Sequence, residues 1–275
     1  MELPYIDNLQ LGGFNFDNTL RNDAIKKQTG KEPTATSTGT TIVGIAYKDG
    51  VVMAADTRST AGPTVGDKNC FKLHYLSPNI WCAGCGTAAD CDHVTEMIKR
   101  DLELHRLNTG SENRIATAVT KFSSHLFNYM GHIGAGIILG GIDVKGPQVW
   151  SIDPHGHTIC MPYHTQGSGS LAAMGIIENE YREEDGELVM TEEECIDLAT
   201  RAIEAGIYND LGSGSNVDYV VINKDGHRIQ RSYKSDNHKL FNHPIGYNFP
   251  KGTTEVLETQ KIPLDIEEGQ APMDL

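Results

Sequence analysis

The chain changes character sharply at one peptide bond. The polar tract Thr34-Ala-Thr-Ser-Thr-Gly39 gives way to Thr40-Thr-Ile-Val-Gly-Ile-Ala-Tyr47, which is apolar and β-branched. Lys48-Asp-Gly50 supplies an Asp-Gly turn, and Val51-Val-Met-Ala-Ala55 returns as a second apolar run. Two such runs about a tight turn predict a β-hairpin. Runs that are apolar throughout belong to strands covered on both faces. The hairpin therefore commits the fold to stacked layers. It also brings Asp56, at the far end of the second strand, back beside Thr40.

The remaining pattern extends this layered reading. Phe71 to Leu76 alternates as a strand, Ser77-Pro-Asn79 turns the chain, and Ile80 to Ala83 returns it. Gly84-Cys-Gly86 leads into a helix marked by Val94, Met97, Ile98, Asp101 and Leu102, with Leu104 and Leu107 beyond. Ile115, Val119, Phe122, Leu126 and Met130 mark a second helix. Strands follow at 132–140, 148–152 and 157–163. A short helix is predicted over 171–181. Thr191 and Glu194 form a capping box that opens another helix, whose apolar face is Ile196, Ala199, Ile203 and Ile207. A last hairpin turns at Lys224-Asp-Gly226. Hairpin-linked strands give antiparallel sheets, and helices grouped in pairs give outer layers. The expected class is α+β, a four-layer αββα sandwich with two stacked antiparallel sheets.

Residues 1–39 show no sustained period, and the tract over 34–39 reads as an accessible linker. Residues 234–275 hold four of the eleven prolines and no core period, so they read as an extended tail. The expected organisation is a leading segment over 1–39, a domain over 40–233 and a tail over 234–275.

Composition narrows the function. A net charge of −14 argues against nucleic-acid binding through a basic surface. The longest apolar runs are too short to span a bilayer. The first eighteen residues lack the basic and apolar regions of a secretory signal. The six cysteines read as reduced thiols. Cys82, Cys85, Cys91 and His93 fall within twelve residues and form a candidate zinc site. Structural zinc usually draws on two separated ligand pairs, so the spacing favours packed small residues instead. No metal or cofactor is expected.

The chain has no Gly-x-Ser-x-Gly elbow, phosphate-binding lysine loop, dinucleotide loop or His-Glu-x-x-His helix. Six other segments are more specific. They are Gly39-Thr-Thr-Ile-Val-Gly44, Ala55-Asp-Thr-Arg58, Phe71-Lys-Leu-His74, Gly84-Cys-Gly-Thr-Ala-Ala-Asp90, Gly167-Ser-Gly-Ser170 and Asp210-Leu-Gly-Ser-Gly214. In this order they resemble the motifs of catalytic proteasome beta subunits, specifically the trypsin-like type. The resemblance is collinear from about Thr34 to Tyr233.

The resemblance implies an N-terminal nucleophile hydrolase fold and a threonine protease. A threonine hydroxyl needs a base beside it. Cleavage of the Gly39–Thr40 bond would give Thr40 a free α-amine, whose ordinary pKa is about 7.7–8.0. Nucleophile and base then share one residue. The resemblance places Lys72 beside the Thr40 hydroxyl, paired with Asp56. It makes the Gly86 N–H an oxyanion donor and sets Ser168, Asp210 and Ser213 around the amine. Capping a helix end is the other reading of Asp210 and Ser213.

By the same resemblance, the primary specificity pocket maps onto Ser59, Cys70, His74, Gly84, Ala88 and Asp92. Small Gly84 leaves room there, and Asp92, with Asp67 nearby, can meet a cation. Cleavage after Lys or Arg is the implied preference. A solvated acid in a first helical turn is the other reading of Asp92. Autocleavage at Gly39–Thr40 is expected. The implied partners are other alpha and beta subunits in a 28-subunit, four-ring barrel, with the tail laid over a neighbour. The implied substrates are unfolded polypeptides, and the implied compartments are cytoplasm and nucleus. Two other readings stay open: a ring subunit with a dead site, and an amidase acting on small molecules.

Overall fold

The computed structural model describes residues 17–30, 37–184, 186–235, Pro250, Gly252 and 255–264. The chain divides into two units, Met1–Asn237 and His238–Leu275. In chain order the first unit contains helix α1 (Asp17–Thr29) and strands β1 (Ser37–Thr38), β2 (Ile42–Tyr47), β3 (Gly50–Asp56), β4 (Ser59–Ala61), β5 (Thr64–Asp67), β6 (Leu73–Ser77) and β7 (Ile80–Thr87). Helices α2 (Ala88–Thr109) and α3 (Ile115–Asn128) follow. Next come β8 (Ala135–Asp143), β9 (Gly146–Ile152), β10 (Thr158–Met161) and β11 (Tyr163–Gln166), then α4 (Ser170–Glu180). The unit ends with β12 (Glu183–Glu184), β13 (Glu187–Leu188), α5 (Glu192–Asn209), β14 (Val217–Asn223) and β15 (Gly226–Lys234).

Two antiparallel sheets dominate. One runs β1-β7-β8-β9-β10, with β6 also paired to β7, and the other runs β11-β2-β3-β14-β15. Their facing surfaces bury Ile42, Val51, Met53, Leu73, Trp81, Ile138 and Val220. The first sheet's outer face packs under α2 and α3 through Ile98, Leu102, Phe122 and Leu126. The second sheet's outer face packs under α4 and α5 through Val43, Ile45, Ile177, Leu198 and Ile203. The result is the four-layer αββα sandwich that the sequence predicts. Both strands of the β2–β3 hairpin are buried along their whole length, as unbroken apolar runs require. The Thr191–Glu194 capping box opens α5.

The structure corrects several expectations. Residues 17–29 form a helix, but its described side chains are almost all exposed. Good helix formers without an apolar face leave no period to detect. Residues 157–163, read as one strand, divide between two sheets. β10 pairs with β9 and β11 pairs with β2. Pro162 stands at the switch, lacking an N–H, and its carbonyl accepts from Ala46 N at 2.7 Å. Leu104 and Leu107 are exposed because they sit on the side of α2 away from buried Ile98 and Leu102. The short ribbons β4–β5 and β12–β13 are polar and carry no apolar alternation, so the sequence reading missed them.

Ser37 and Thr38 do not behave as a free linker. They pair with Thr87 and Gly86 at the end of β7, where β6 no longer covers the edge. Residues 34–36 lie outside the described residues. In the second unit, Pro250, Gly252 and 255–264 form no helix or strand. Lys234, expected to open the tail, instead ends β15 in the first unit, and the tail residues 236–249, 251, 253–254 and 265–275 lie outside the described residues.

Phe122 fills the layer between α3 and the first sheet and is fully buried. Phe122→Ala should cost about 3–5 kcal/mol of stability through the cavity it leaves. Denaturant unfolding of the variant beside the parent chain checks this, and a loss below about 1 kcal/mol would refute the packing account.

Candidate active site

The β2–β3 hairpin sets the site. Its register aligns Ile42 with Ala55, and Asp56 N donates to Thr41 O at 3.1 Å. Asp56 thus lies one step past the paired residues, directly beside Thr40–Thr41. It is fully buried and accepts four hydrogen bonds. Lys72 Nζ (2.7 Å) and Thr41 N (2.9 Å) donate to Oδ1. Gly214 N (3.1 Å) and Arg58 N (3.2 Å) donate to Oδ2. That number satisfies a carboxylate away from water.

Lys72 leads into β6 and is only 6 % exposed. Its ammonium has three protons, and three acceptors surround it. They are Asp56 Oδ1, Thr40 Oγ1 at 3.1 Å and Gly39 O at 3.1 Å. Thr40 Oγ1 in turn donates to Gly39 O at 2.7 Å. A hydroxyl, a buried ammonium and the carbonyl before the hydroxyl's own residue therefore form one contact group. The cation lowers the cost of an alkoxide at Oγ1 and polarises the Gly39 carbonyl.

On the other side, Thr40 N donates to Ser168 Oγ at 3.1 Å. Ser168 Oγ and Ser213 Oγ each donate to Asp210 Oδ2 at 2.6 Å. Gly212 N reaches Asp210 Oδ1 at 3.1 Å. Partial burial alone would push the Asp210 carboxyl up. The bonds from Ser168, Ser213 and Gly212 outweigh it and hold the group below the ordinary carboxylate range. Asp210 is the C-cap of α5, so the capping and supporting readings coincide in one residue.

Gly86 is the next-to-last residue of β7, with φ of 111°, and a Cβ there would lie 2.3 Å from Gly134 O, so only glycine fits. Among the described residues, the donors to the Gly39 carbonyl are Lys72 and Thr40 rather than Gly86. Gly86 instead aligns opposite Thr38, whose hydroxyl donates to Gly86 O at 3.3 Å.

A pocket of about 70 Å³ opens next to Thr40. Cys70, His74, Gly84, Ala88 and Asp92 line it, together with Thr38, Lys72, Cys85 and Cys91. Ser59 is not among them. It sits on β4 opposite Asp67 of β5, and both lie in the ribbon outside the lining. A Cβ on Gly84 would meet Cys91 Cβ at 3.0 Å, so a side chain there would press on Cys91. Asp92 is 71 % exposed, with its Oδ1 4.0 Å from His74 Nε2. Burial pushes the His74 pKa down against the opposing pull of Asp92. Cys82, Cys85, Cys91 and His93 form no metal-ligand group. Burial pushes the Cys85 and Cys91 thiols up to about 11 and about 12.

Sequence reasoning missed several contacts. Thr41 Oγ1 bonds Ser213 Oγ at 2.7 Å, and Thr60 Oγ1 accepts from Gly39 N at 2.9 Å. Gly214 and Arg58 hold Asp56 through backbone N–H groups, which leave no mark on residue type. The second threonine of the Thr-Thr pair was the one available clue.

A model of the proteasome subunit family matches residues 36–222. The proteasome subunit beta type-7 of Dictyostelium discoideum is 50% identical, covering 95% of this chain and 96% of that protein. Beta type-7-B of Arabidopsis thaliana is 49% identical over 92% of this chain and 90% of its own length. Beta type-2 of Saccharomyces cerevisiae is 49% identical over 94% and 98%. The chain belongs to the proteasome subunit family, as a beta subunit of the 20S core with the N-terminal nucleophile hydrolase sandwich. Among the described residues, no helix is long and apolar enough to cross a membrane.

Because the folded Asp210 pKa is depressed, its contribution to stability is present above the unfolded value near 4 and is lost as pH falls through the folded value. The stability gap between the parent chain and Asp210→Asn should therefore be constant above about pH 5 and shrink below about pH 4. Denaturant titrations across this range measure it, and a gap that widens on acidification would contradict the assignment.

Proposed function

We propose that this chain is the precursor of a threonine endopeptidase that activates itself and cleaves after basic residues. One observation carries the reading: Thr40 Oγ1 lies between the Gly39 carbonyl and the Lys72 ammonium, and Asp56 holds that ammonium. Oγ1 attacks the Gly39 carbonyl carbon, and the Gly39–Thr40 C–N bond breaks. The hydroxyl proton passes to the departing nitrogen, leaving an ester between Gly39 and Oγ1. Water opens the ester, giving a Gly39 carboxylate and a Thr40 with free amine and free hydroxyl. The amine, set against Ser168 and its partner Asp210, becomes the base for substrate peptide bonds. The same Oγ1 then attacks the substrate carbonyl with Lys72 beside it, and Gly86 N–H serves as oxyanion donor once the leading segment has left.

On this reading residues 1–39 are a removable prosegment, 40–233 the catalytic domain and 234–275 a tail laid over a neighbouring subunit. The setting is a 28-subunit, four-ring barrel of alpha and beta subunits acting on unfolded polypeptides in cytoplasm and nucleus. Asp92 supports the basic preference, because it is an exposed carboxylate on the wall of the pocket beside Thr40. The alternative, a ring subunit with a dead site, lacks a reason for burying Lys72 against Thr40, since a buried ion pair is costly to form.

In assembled particles the parent subunit should start at Thr40, and Thr40→Ala should retain residues 1–39, as terminal sequencing and intact mass will show. Lys72→Met should lower this subunit's turnover by at least about a hundredfold. Asp92→Asn should lower cleavage after Lys and Arg at least about tenfold while sparing self-processing. A parent chain with an unprocessed N-terminus in mature particles would sink the threonine mechanism.

A further inference from the structure

A second acid near the site is buried, and the Thr40 cluster does not use it. Asp218 of β14 pairs with Ala55 of β3 in the register, one step from Asp56. It is 1 % exposed and shares the inner face of its strand with Val220 and Ile222, which belong to the core between the sheets. A carboxylate placed there needs a cation. Burial pushes its pKa up, while the Ser232 N–H and the Arg231 guanidinium pull it back. Ser232 N donates to Asp218 Oδ1 at 2.7 Å. Arg231 Nε lies 2.8 Å from Asp218 Oδ2, off the line of a hydrogen bond, so that contact is one of charge.

Strand β15 departs from regular pairing to deliver that guanidinium. Val217 pairs with Lys234 and Tyr219 with Gln230, so one residue of β14 faces three of β15. Within this bulge Ser232 takes φ of 50°, a left-handed conformation that a non-glycine residue keeps only where its surroundings hold it. Bulges re-aim side chains, and the one re-aimed here is Arg231. Its Nη2 donates to Asn69 O at 3.0 Å and to Asn69 Oδ1 at 2.7 Å. Its Cζ lies over the Phe71 ring, 4.5 Å from the centre. Arg231 thus grips the residues on both sides of Cys70 while it rests on Asp218. Both belong to residues 68–72, which form no helix or strand and end in Lys72.

We propose that Arg231 is a positioning residue for Lys72: seated on Asp218, it clamps the irregular segment that brings the ammonium to the Thr40 hydroxyl. The inference rests on the proposed threonine mechanism. Lys72 Nζ must stay at 3.1 Å from Thr40 Oγ1, and Asp56 holds only its tip. The backbone of Lys72 is held on the far side by Gly84 N, which donates to Lys72 O at 3.2 Å. Arg231 holds the near side. A planar fork can meet Asn69 and Asp218 together with its face on Phe71, which the point charge of a lysine cannot do. Without the clamp the segment gains freedom, and a displacement of about 1 Å at a reacting group is enough to cost rate. Lys72 acts on charge that develops at Oγ1, so the loss falls on kcat rather than on KM.

The test uses assembled particles, so that a loss of yield does not enter the rates, with Thr40→Ala particles as background. Arg231→Met should lower kcat for fluorogenic peptides ending in Arg or Lys about tenfold, with KM within about twofold, and should slow the loss of residues 1–39 by a similar factor. Arg231→Lys keeps a cation for Asp218, so it should keep particle yield even where Arg231→Met does not, yet leave kcat at least about threefold low. Asp218→Asn should also lower kcat, and adding Arg231→Met to it should lower kcat no further. Arg228→Met, on the same strand but paired with Glu192, should leave kcat and processing unchanged. Parental kcat per particle in the Arg231 variants, or a loss confined to KM or to yield, would overturn the positioning role and leave the threonine mechanism intact. Parent particles that neither process nor cleave above background would instead remove that mechanism, and the inference with it.

Discussion

The buried contact between Lys72 and Asp56 is the constraint on which the rest of the site depends. Isolated burial of either charge is prohibitive, and breaking such a pair typically costs about 3–5 kcal/mol. Here the cost of burial is met by complete satisfaction. Asp56 takes three backbone N–H groups, those of Thr41, Arg58 and Gly214, besides the ammonium, and the ammonium spends its remaining protons on Thr40 and Gly39. Asp56 belongs to one sheet and Lys72 leads into a strand of the other. The ion pair therefore fixes the two sheets against each other at the point where Thr40 enters. A fold that must keep this pair intact also keeps the Thr40 hydroxyl in place.

The layered architecture explains why the charge can exist there. Three apolar layers, two of them under helices, exclude water from the hairpin over its full length. Its open end at Thr40–Thr41 meets a cluster of polar groups, and these arrive from the 167–170 and 210–214 segments that flank α4 and α5. The capping chemistry of α5 does double service. Asp210 ends the helix and collects two serine hydroxyls, one of which faces the Thr40 nitrogen.

Much of this was legible in the sequence because it lies in patterns that residue type records. The β2–β3 hairpin, Asp56 at its end, the Thr191–Glu194 capping box and the paired helices all announce themselves through periodicity or turn chemistry. The illegible parts are those where backbone or context decides. Helix α1 has no apolar face to betray it. The Ser37–Thr38 pairing exists because β7 outruns β6, which is a property of the sheet and not of two small polar residues. Ser59 follows the family pattern in sequence, yet lies in the β4–β5 ribbon beside Asp67, outside the pocket lining.

If the chain is the precursor proposed above, the Ser37–Thr38 pairing also bears on how it stays inactive without leaving its site unformed. The segment before Thr40 adds a short strand to an open edge, and its Thr38 lines the pocket that a substrate would enter. Main-chain addition to a strand edge is sequence-tolerant, because the bonds come from backbone groups. On the proposed reading, Ser37 to Gly39 sit as a polypeptide substrate would, with the Gly39 carbonyl held by the ammonium and hydroxyl that would act on it. The proposed self-processing and turnover then need one geometry rather than two. The residue that would differ between them is Thr40 itself, whose nitrogen is an amide before the proposed cut and would be a base after it.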